Sequence, residues 1–403
     1  MTQATVIHSG EPARTELVIG GRKLRILLMY ISVSSGHQCA ARAMEYGLRR
    51  FDPTLDILNL NAFHYVNPIL ERMVNGTYMQ VIKTRPEVWD YMYDNPWIIR
   101  NTKLLRSWVH KWNSKRLIRL IRDFEPDVMA CTQAFPCGMV ADIKTQLKLN
   151  TPLVGVLTDL MPHNYWPHPQ VNAYVVGCER SRQRLLQLQV PDEKIHVSGI
   201  PIDPKFGELH DKETIARRLG LDPARPVVLI MGGGGGYGPI QELLDGIRNS
   251  RLPIQPVVLA GTNAKLYDAL VQNQGNPDDP ARILHYSHDV DLFMNIASLI
   301  VTKPGGLTTS EALAKALPMV ILKPIPGQEN NNTRVLLDAG VAVKADDHVQ
   351  ALRAIEELFG DHERMKRMRD AAFKLGKPNA AVDSASLLLR LSNGAGVPLR
   401  STA

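Results

Sequence analysis

The apolar positions of this chain fall into short runs separated by stretches of helical spacing. Leu24–Ile31 is a run of strand length. Ser34-Ser35-Gly36 breaks it, and a helical pattern follows from His37 to Arg50. Leu55–Leu60, Val128–Thr132, Leu153–Thr158, Ala173–Val176 and Ile195–Val197 are further short apolar runs, with helical stretches between most of them. Runs of this length predict buried strands, and their alternation with helices predicts a parallel sheet covered on both faces. The turn-forming segment Ser198–Pro204 ends the alternation, and then the pattern restarts. Val227–Met231 reads as a strand, Gly232–Gly236 as a loop and Pro239–Ile247 as a helix. Pro256–Leu259, Ile283–Tyr286, Leu299–Thr302, Met319–Leu322 and Val341–Val343 read as strands, and residues 348–392 as three helices.

The expectation is an α/β protein of two doubly wound, Rossmann-like domains facing across a cleft, with ligands at the carboxyl ends of the strands. The boundaries expected are a flexible tail over 1–22, a first domain over 23–200, a second over 201–375, and a final helix and tail over 376–403 free to pack back on the first domain. The length of 403 residues suits two cores. No apolar run is long enough to span a bilayer, and the first twenty residues lack the apolar stretch of a secretory signal. Cys39, Cys131, Cys137 and Cys178 form no C-x-x-C pair and read as reduced thiols of a cytoplasmic protein.

Three segments carry candidate chemistry in the second half. Five consecutive glycines, Gly232–Gly236, directly follow a strand, and such backbone can approach and bind a phosphate through its amides. Thr302–Ala312 runs strand, glycine pair Gly305-Gly306, helix; Leu307–Thr309 would offer amides at the helix start. Glu311, placed in that first turn, reads either as a capping-box acid reaching back to Thr308 or as a carboxylate for ribose hydroxyls. Gln328, Glu329 and Asn330 open a helix after a Pro-Gly loop, and suit either hydroxyl recognition or plain N-capping.

The first half offers His37 at the start of its first long helix, where the dipole keeps an imidazole neutral and able to accept a proton. Asp159 at the end of Leu153–Thr158 would orient His37, act as base itself, or simply close the strand in an Asx turn. His163 and Trp166 follow in a Pro-rich loop; His163 and His168 lack a third ligand at convincing spacing, so no metal is expected. Asp289-Val290-Asp291 starts a predicted helix and reads as an N-cap.

Charge adds one feature. The formal net charge is +7. Between Trp97 and Arg122 lie Arg100, Lys103, Arg106, Lys111, Lys115, Arg116, Arg119 and Arg122 without a single acid, and Trp108 and Trp112 recur among them with leucines. A helix with tryptophan on one face and cations on the other suits an anionic lipid interface; no base-stacking or groove-reading motif points to nucleic acid. Trp89, Tyr91, Tyr93 and Trp97 would form a lip for lipid entry.

VSSGHQCAARA, TDLMPHNYW and KPGGLTTSEALAKALPMVILKPIPGQENNN resemble segments of the monogalactosyldiacylglycerol synthase and processive diacylglycerol glucosyltransferase family, itself similar to the peptidoglycan-precursor N-acetylglucosaminyltransferase. The resemblance runs from about Leu24 to Leu375. It implies a GT-B fold and inverting transfer of galactose or glucose from a UDP-hexose to diacylglycerol, without a metal or other cofactor, at the inner face of the cell membrane. It also implies that Gly233, Gly234 and Gly235 with Thr308 and Thr309 hold the diphosphate, Glu311 the ribose, Gln328 and Glu329 the sugar, and Tyr286, Ser287 and His288 the uracil. For His37 it implies an active-site role, as base or as phosphate ligand. A UDP-sugar 2-epimerase and a non-catalytic UDP-sugar sensor on the same fold are the alternatives.

Overall fold

The computed structural model describes residues 17–19, 22–31, 35–66, 115–250, 252–273, 279–324 and 327–392. Trp97, Arg100, Lys103, Arg106, Trp108, Lys111 and Trp112, with the aromatic lip before them, lie outside these residues. The chain divides into two compact units: Met1–Pro204 with Asn379–Ala403, and Lys205–Pro378. These boundaries fall a few residues from the positions that turn-former density suggested.

The first unit opens with a two-stranded antiparallel pair, β1 (Val18–Ile19) and β2 (Arg22–Lys23). Residues 17–19 and 22 are therefore not part of the loose tail expected up to 22. The Leu17 amide donates to Asp52 at 2.7 Å, and the Arg22 guanidinium grips both oxygens of Asp127 at 2.8 Å. Polar anchors of this kind leave no periodic apolar signal. The main elements follow as β3 (Arg25–Tyr30), α1 (Gly36–Phe51), β4 (Asp56–Asn61), α2 (Ala62–Val66), α3 (helical over 115–124), β5 (Val128–Cys131), α4 (Ala134–Leu147), β6 (Leu153–Val156), β7 (Ala173–Val175), α5 (Glu179–Gln187) and β8 (Ile195–His196). Among the described residues the sheet order is β4-β3-β5-β6-β7-β8, every neighbour parallel. The strands are apolar on both faces because helices cover both. Leu27, Met29, Met129 and Leu153 pack on one side; Ile26, Leu28, Val128 and Val154 pack on the other.

The last helix of the chain, α14 (Ala380–Ser392), supplies Ala385, Leu387, Leu388 and Leu389 to that second face and lies against α1. The approach is so close that a Cβ on Gly47 would stand 2.5 Å from the Ala381 carbonyl oxygen.

The second unit contains α6 (Lys212–Arg218), β9 (Val227–Met231), α7 (Ile240–Asn249), β10 (Gln255–Leu259), α8 (Ala264–Gln272), β11 (Arg282–Leu284), α9 (Val290–Ile296), β12 (Ala297–Thr302), α10 (Gly306–Ala314), β13 (Met319–Leu322), α11 (Gln328–Asp338), β14 (Ala342–Ala345), α12 (His348–Gly360) and α13 (His362–Leu375). Its parallel sheet runs β11-β10-β9-β12-β13-β14, the doubly wound nucleotide-binding order. Val228, Ile230, Leu299, Val301 and Val320 form its core with Leu243, Leu244 and Ile355 from the flanking helices. Among the described residues no helix is long and apolar enough to cross a membrane.

Replacing Gly47 by Val should push α14 off α1 and lower stability by about 1–3 kcal/mol, the cost of an overpacked contact. Thermal unfolding of the two proteins checks this; an unchanged midpoint would mean that the seam is not close-packed.

Candidate active site

In a doubly wound sheet the strand order reverses at one place, and the loops leaving the two strands there part to opposite faces. In the second unit that place is between β9 and β12. The glycine run leaves β9 and the Lys303–Gly306 turn leaves β12.

The glycine loop is tightly built. Gly233, Gly236 and Gly238 have φ of +69°, +58° and +114°. A Cβ on Gly235 would sit 2.4 Å from the Tyr237 ring, and one on Gly236 2.3 Å from the Ala260 carbonyl oxygen. The amides of Gly236 and Tyr237 donate inside the loop, to Gly233 and Gly232. Thr262 holds the Gly234 carbonyl through its amide at 2.9 Å and its hydroxyl at 3.1 Å. The amides of Gly233, Gly234 and Gly235 donate to nothing among the described residues, and a Cβ on Gly233 or Gly234 would meet no atom within 4 Å. A fixed turn thus presents an open row of N–H groups, as an anion requires.

Helix α10 begins at Gly306 with Gly305 as its N-cap. The amides at its mouth are those of Gly306, Leu307 and Thr308, one residue earlier than the sequence reading placed them, because the Thr309 amide already bonds to the Gly305 carbonyl at 3.0 Å. Thr309 is fully buried, and its hydroxyl donates to Gly305 and Gly306 at 2.9 and 3.2 Å. Its side chain is consumed by the helix, which corrects its place in a diphosphate site. Glu311 lies beyond the first turn. With the cap at Gly305, the capping box with Thr308 is not formed, and Glu311 stands part-exposed on the second turn. Thr308 is part-exposed and Gly306 buried.

Helix α11 begins at Gln328 after Gly327, whose φ is +92°. No side chain caps it, so capping does not explain the polar run. The buried Asn332 donates to the Pro304 carbonyl at 3.0 Å and ties this helix to the β12 turn. Gln328 is part-buried and Asn330 exposed. Glu329, expected to face a sugar, pairs with Lys303 at 3.1 Å, both side chains 12% exposed. The Lys303 ammonium also lies 5.5 Å from the centre of the Tyr237 ring, beside the glycine loop. Lys303 is the candidate residue the sequence reading did not assign: it stood inside the quoted motif, but only the fold brings it to Tyr237 and Glu329.

Tyr286 is 60% exposed after β11 and stands edge-on to His288 at 5.2 Å. Ser287 bonds the Asp289 amide at 3.1 Å, and Lys205 holds the His288 carbonyl at 2.5 Å. Asp289 occupies the N-cap position of α9 without a side-chain cap bond, while the buried Asp291 pairs with Lys205 at 2.9 Å. One acid of the Asp-x-Asp motif is thus engaged in an ion pair.

In the first unit the strand order reverses between β3 and β5. His37 sits there, on the first turn of α1, which Ser35 caps by accepting from the Gln38 amide. Its Nδ1 lies 2.9 Å from the Thr132 carbonyl oxygen and 2.9 Å from the Thr158 hydroxyl, while the Thr132 hydroxyl donates to the His37 carbonyl at 2.9 Å. A carbonyl can only accept, so Nδ1 carries the hydrogen and Nε2 keeps its lone pair. Burial lowers the His37 pKa to about 4, against the opposing pull of the Thr132 bond. Thr132 and Thr158 are thus orienters of the imidazole that the sequence reading did not name. Strand β6 ends at Val156, two residues short of the expected end, and Thr158 turns to His37 from the loop. Asp159 follows, part-buried in the same bend.

His163 comes to the same place: its pKa is also lowered to about 4, by burial first and then by the charge of His37. Its Nδ1 accepts from the Tyr165 amide at 3.2 Å, and its ring stacks on Trp166 with centroids 6.0 Å apart. Trp166 is 5% exposed, and a Cβ on Gly155 would lie 3.3 Å from its ring. This corrects its expected role at an acceptor or membrane surface: it is a core residue that backs His163. His168 faces Asp142 at 3.3 Å, on the outer side of that loop.

Both imidazoles stay neutral in the fold down to about pH 4, whereas unfolded ones take a proton near 6.5. Between those values the unfolded chain binds more protons, so stability is complete above pH 6.5 and falls as pH drops toward 4. His37→Ala and His163→Ala should each flatten that fall in unfolding midpoints measured from pH 7 to 4; identical slopes in all three proteins would contradict the assignment. Separately, Gly236→Ala should weaken the UDP binding that the sequence resemblance implies by at least about tenfold in titration calorimetry, since its φ and the Ala260 carbonyl both forbid a side chain; unchanged affinity would remove the loop from the site.

Residues 37–202 match the family profile described as monogalactosyldiacylglycerol (MGDG) synthase. The chain is 28% identical over 358 residues to the processive diacylglycerol beta-glucosyltransferase of Bacillus cereus strain 03BB102, covering 89% of this chain and 91% of that protein. The enzyme of the same name from Bacillus thuringiensis strain Al Hakam matches to the same extent. Among solved structures, MurG of Acinetobacter baumannii superposes with a TM-score of 0.61 at 14% identity, covering 91% of this chain and 99% of that one. The UDP-GlcNAc 2-epimerase of Neisseria meningitidis bound to UDP-GlcNAc does so at 0.59 and 14%, covering 91% and 100%. The fold is GT-B, two Rossmann-like domains in one chain. Residues 37–202 thus match the monogalactosyldiacylglycerol synthase profile, and across 89% of its length the chain is similar to the processive diacylglycerol beta-glucosyltransferases of Bacillus.

Proposed function

We propose that this protein is an inverting hexosyltransferase that moves galactose or glucose from a UDP-hexose to the hydroxyl of diacylglycerol. The observation that carries the proposal is His37: a neutral imidazole, fixed at Nδ1 by the Thr132 carbonyl, that offers Nε2 as a base. In the reaction the acceptor hydroxyl gives its proton to Nε2 while its oxygen bonds to the anomeric carbon from the face opposite the diphosphate. The bond from that carbon to the β-phosphate oxygen breaks, and UDP leaves with the electron pair.

The charge that builds on UDP is met by the amides of Gly233–Gly235, by those at the start of α10, and by the Lys303 ammonium. The proposal gives this task to protein groups and expects no metal. Glu311 is assigned to the ribose, Tyr286 with Ser287 and His288 to the uracil, and Gln328, Glu329 and Asn330 to the sugar hydroxyls. Arrival of the diphosphate draws Lys303 away from Glu329 and frees that carboxylate for a hydroxyl. Asp159 and His163 shape the acceptor end beside His37. The cation-rich, tryptophan-bearing stretch 97–122 holds the enzyme peripherally on anionic lipid at the inner face of the cell membrane.

Purified protein given UDP-hexose and diacylglycerol in anionic vesicles should form a β-linked glycolipid. His37→Ala should retain UDP binding and lose about 10²–10⁴-fold in turnover, the usual contribution of a general base. UDP release without glycolipid, or a 2-epimerised UDP-sugar without lipid, would refute the transfer reaction. Lys303→Met should weaken UDP binding, and adding Glu329→Gln should restore stability without restoring affinity, because the lost cation and not the orphaned acid is the defect. Full affinity in the double variant would remove Lys303 from the diphosphate site.

A further inference from the structure

We propose that the second unit carries its own membrane-contact face, in which Phe373 and Leu209 enter an anionic bilayer surface framed by Lys212, Lys366 and Arg369. The inference stands apart from the transfer reaction, since it concerns adsorption to lipid, and it uses none of the residues assigned to the site above.

Phe373 is 77% exposed and Leu209 86% exposed. Single exposed apolar residues are ordinary on a protein surface. These two belong to one neighbourhood, as independent contacts show. A Cβ on Gly207 would lie 3.2 Å from the Pro378 carbonyl oxygen. The Lys315 ammonium donates to the Glu208 carbonyl. Gly376 packs so close to α10 that a Cβ there would stand 2.4 Å from the Leu313 carbonyl oxygen. Lys212, three residues after Leu209, has its pKa lowered by burial and then by the charge of Arg369 on α13. The segment before α6 and the exposed side of α13 are therefore neighbours.

On α13, Lys366, Arg369 and Phe373 recur at i, i+3 and i+7 and are all exposed, so one stripe presents two cations and a phenyl ring to solvent. The acids nearby are largely committed elsewhere. Asp211 accepts from the Thr214 amide as the cap of α6, and Glu213 pairs with Arg217. Glu208, which faces His210 at 3.9 Å, and the exposed Glu363 and Asp370 flank the patch. A phenyl ring and a leucine among cations match a lipid interface, where the rings enter the headgroup layer and the cations meet anionic headgroups. This charge complementarity selects an anionic bilayer as the occupant.

The test is sedimentation of full-length protein with phosphatidylglycerol-containing vesicles and with purely zwitterionic ones. Lys366→Glu/Arg369→Glu should weaken binding to the anionic vesicles by about five-fold or more per charge. Phe373→Ser/Leu209→Ser should weaken it by roughly tenfold, and both proteins should keep the wild-type unfolding midpoint. Wild-type sedimentation by both variants would overturn the proposal. So would a shift in oligomeric state on size exclusion with vesicle binding intact, which would make the face a contact between copies. Equal losses on zwitterionic vesicles would overturn the electrostatic half of it.

Discussion

The constraint on which the rest depends is the reversal of strand order in a parallel sheet. At that one place two neighbouring strands send their loops to opposite faces, and the backbone between them is left uncovered. The first unit puts His37 and Thr132 there, the second puts the glycine loop and Lys303 there. Neither placement needs a special fold feature. Short apolar strands, helices on both faces and right-handed crossovers produce two such places in one chain, and polar chemistry gathers where packing cannot fill.

The electrostatics of the two units differ. In the first unit burial keeps two neighbouring imidazoles neutral, and a carbonyl fixes which nitrogen of His37 holds its hydrogen. A base must be uncharged before it can take a proton. In the second unit the Lys303 side chain, only 12% exposed, lies 3.1 Å from the Glu329 carboxylate. Removing either partner alone would leave a single charge in a poor solvent.

Much of this was legible in the sequence. Val227–Met231 and Met319–Leu322 were bounded to the residue, because strands covered on both faces are unbroken apolar runs. The glycine run was legible because five glycines in a row have no packing purpose. What escaped was whatever depended on the exact start of a helix or on contact across the sheet. Moving the start of α10 to Gly306 turned Thr309 inward and carried Glu311 out of the first turn. The hold of Thr132 and Thr158 on His37 joins residues 95 and 121 positions apart, and no local pattern records such a partnership. The pair at the start of the first unit, β1 with β2, escaped for a different reason: it is held by Arg22 on Asp127 and by Leu17 on Asp52, polar contacts that leave no periodic signal.

The closing helix shows how chain order and physical order part company. Residues 205–378 form one unit, yet α14 returns to the first and completes the face of its sheet behind α1. Gly47 is the cost and the means of that return, since only a bare backbone lets Ala381 come so near. Because α1 also carries His37 on its first turn, the packing of the last helix sets the seat of the helix that presents that imidazole. The Gly47–Ala381 seam and the His37 imidazole thus lie on one helix, the seam at its inner face and the imidazole on its first turn.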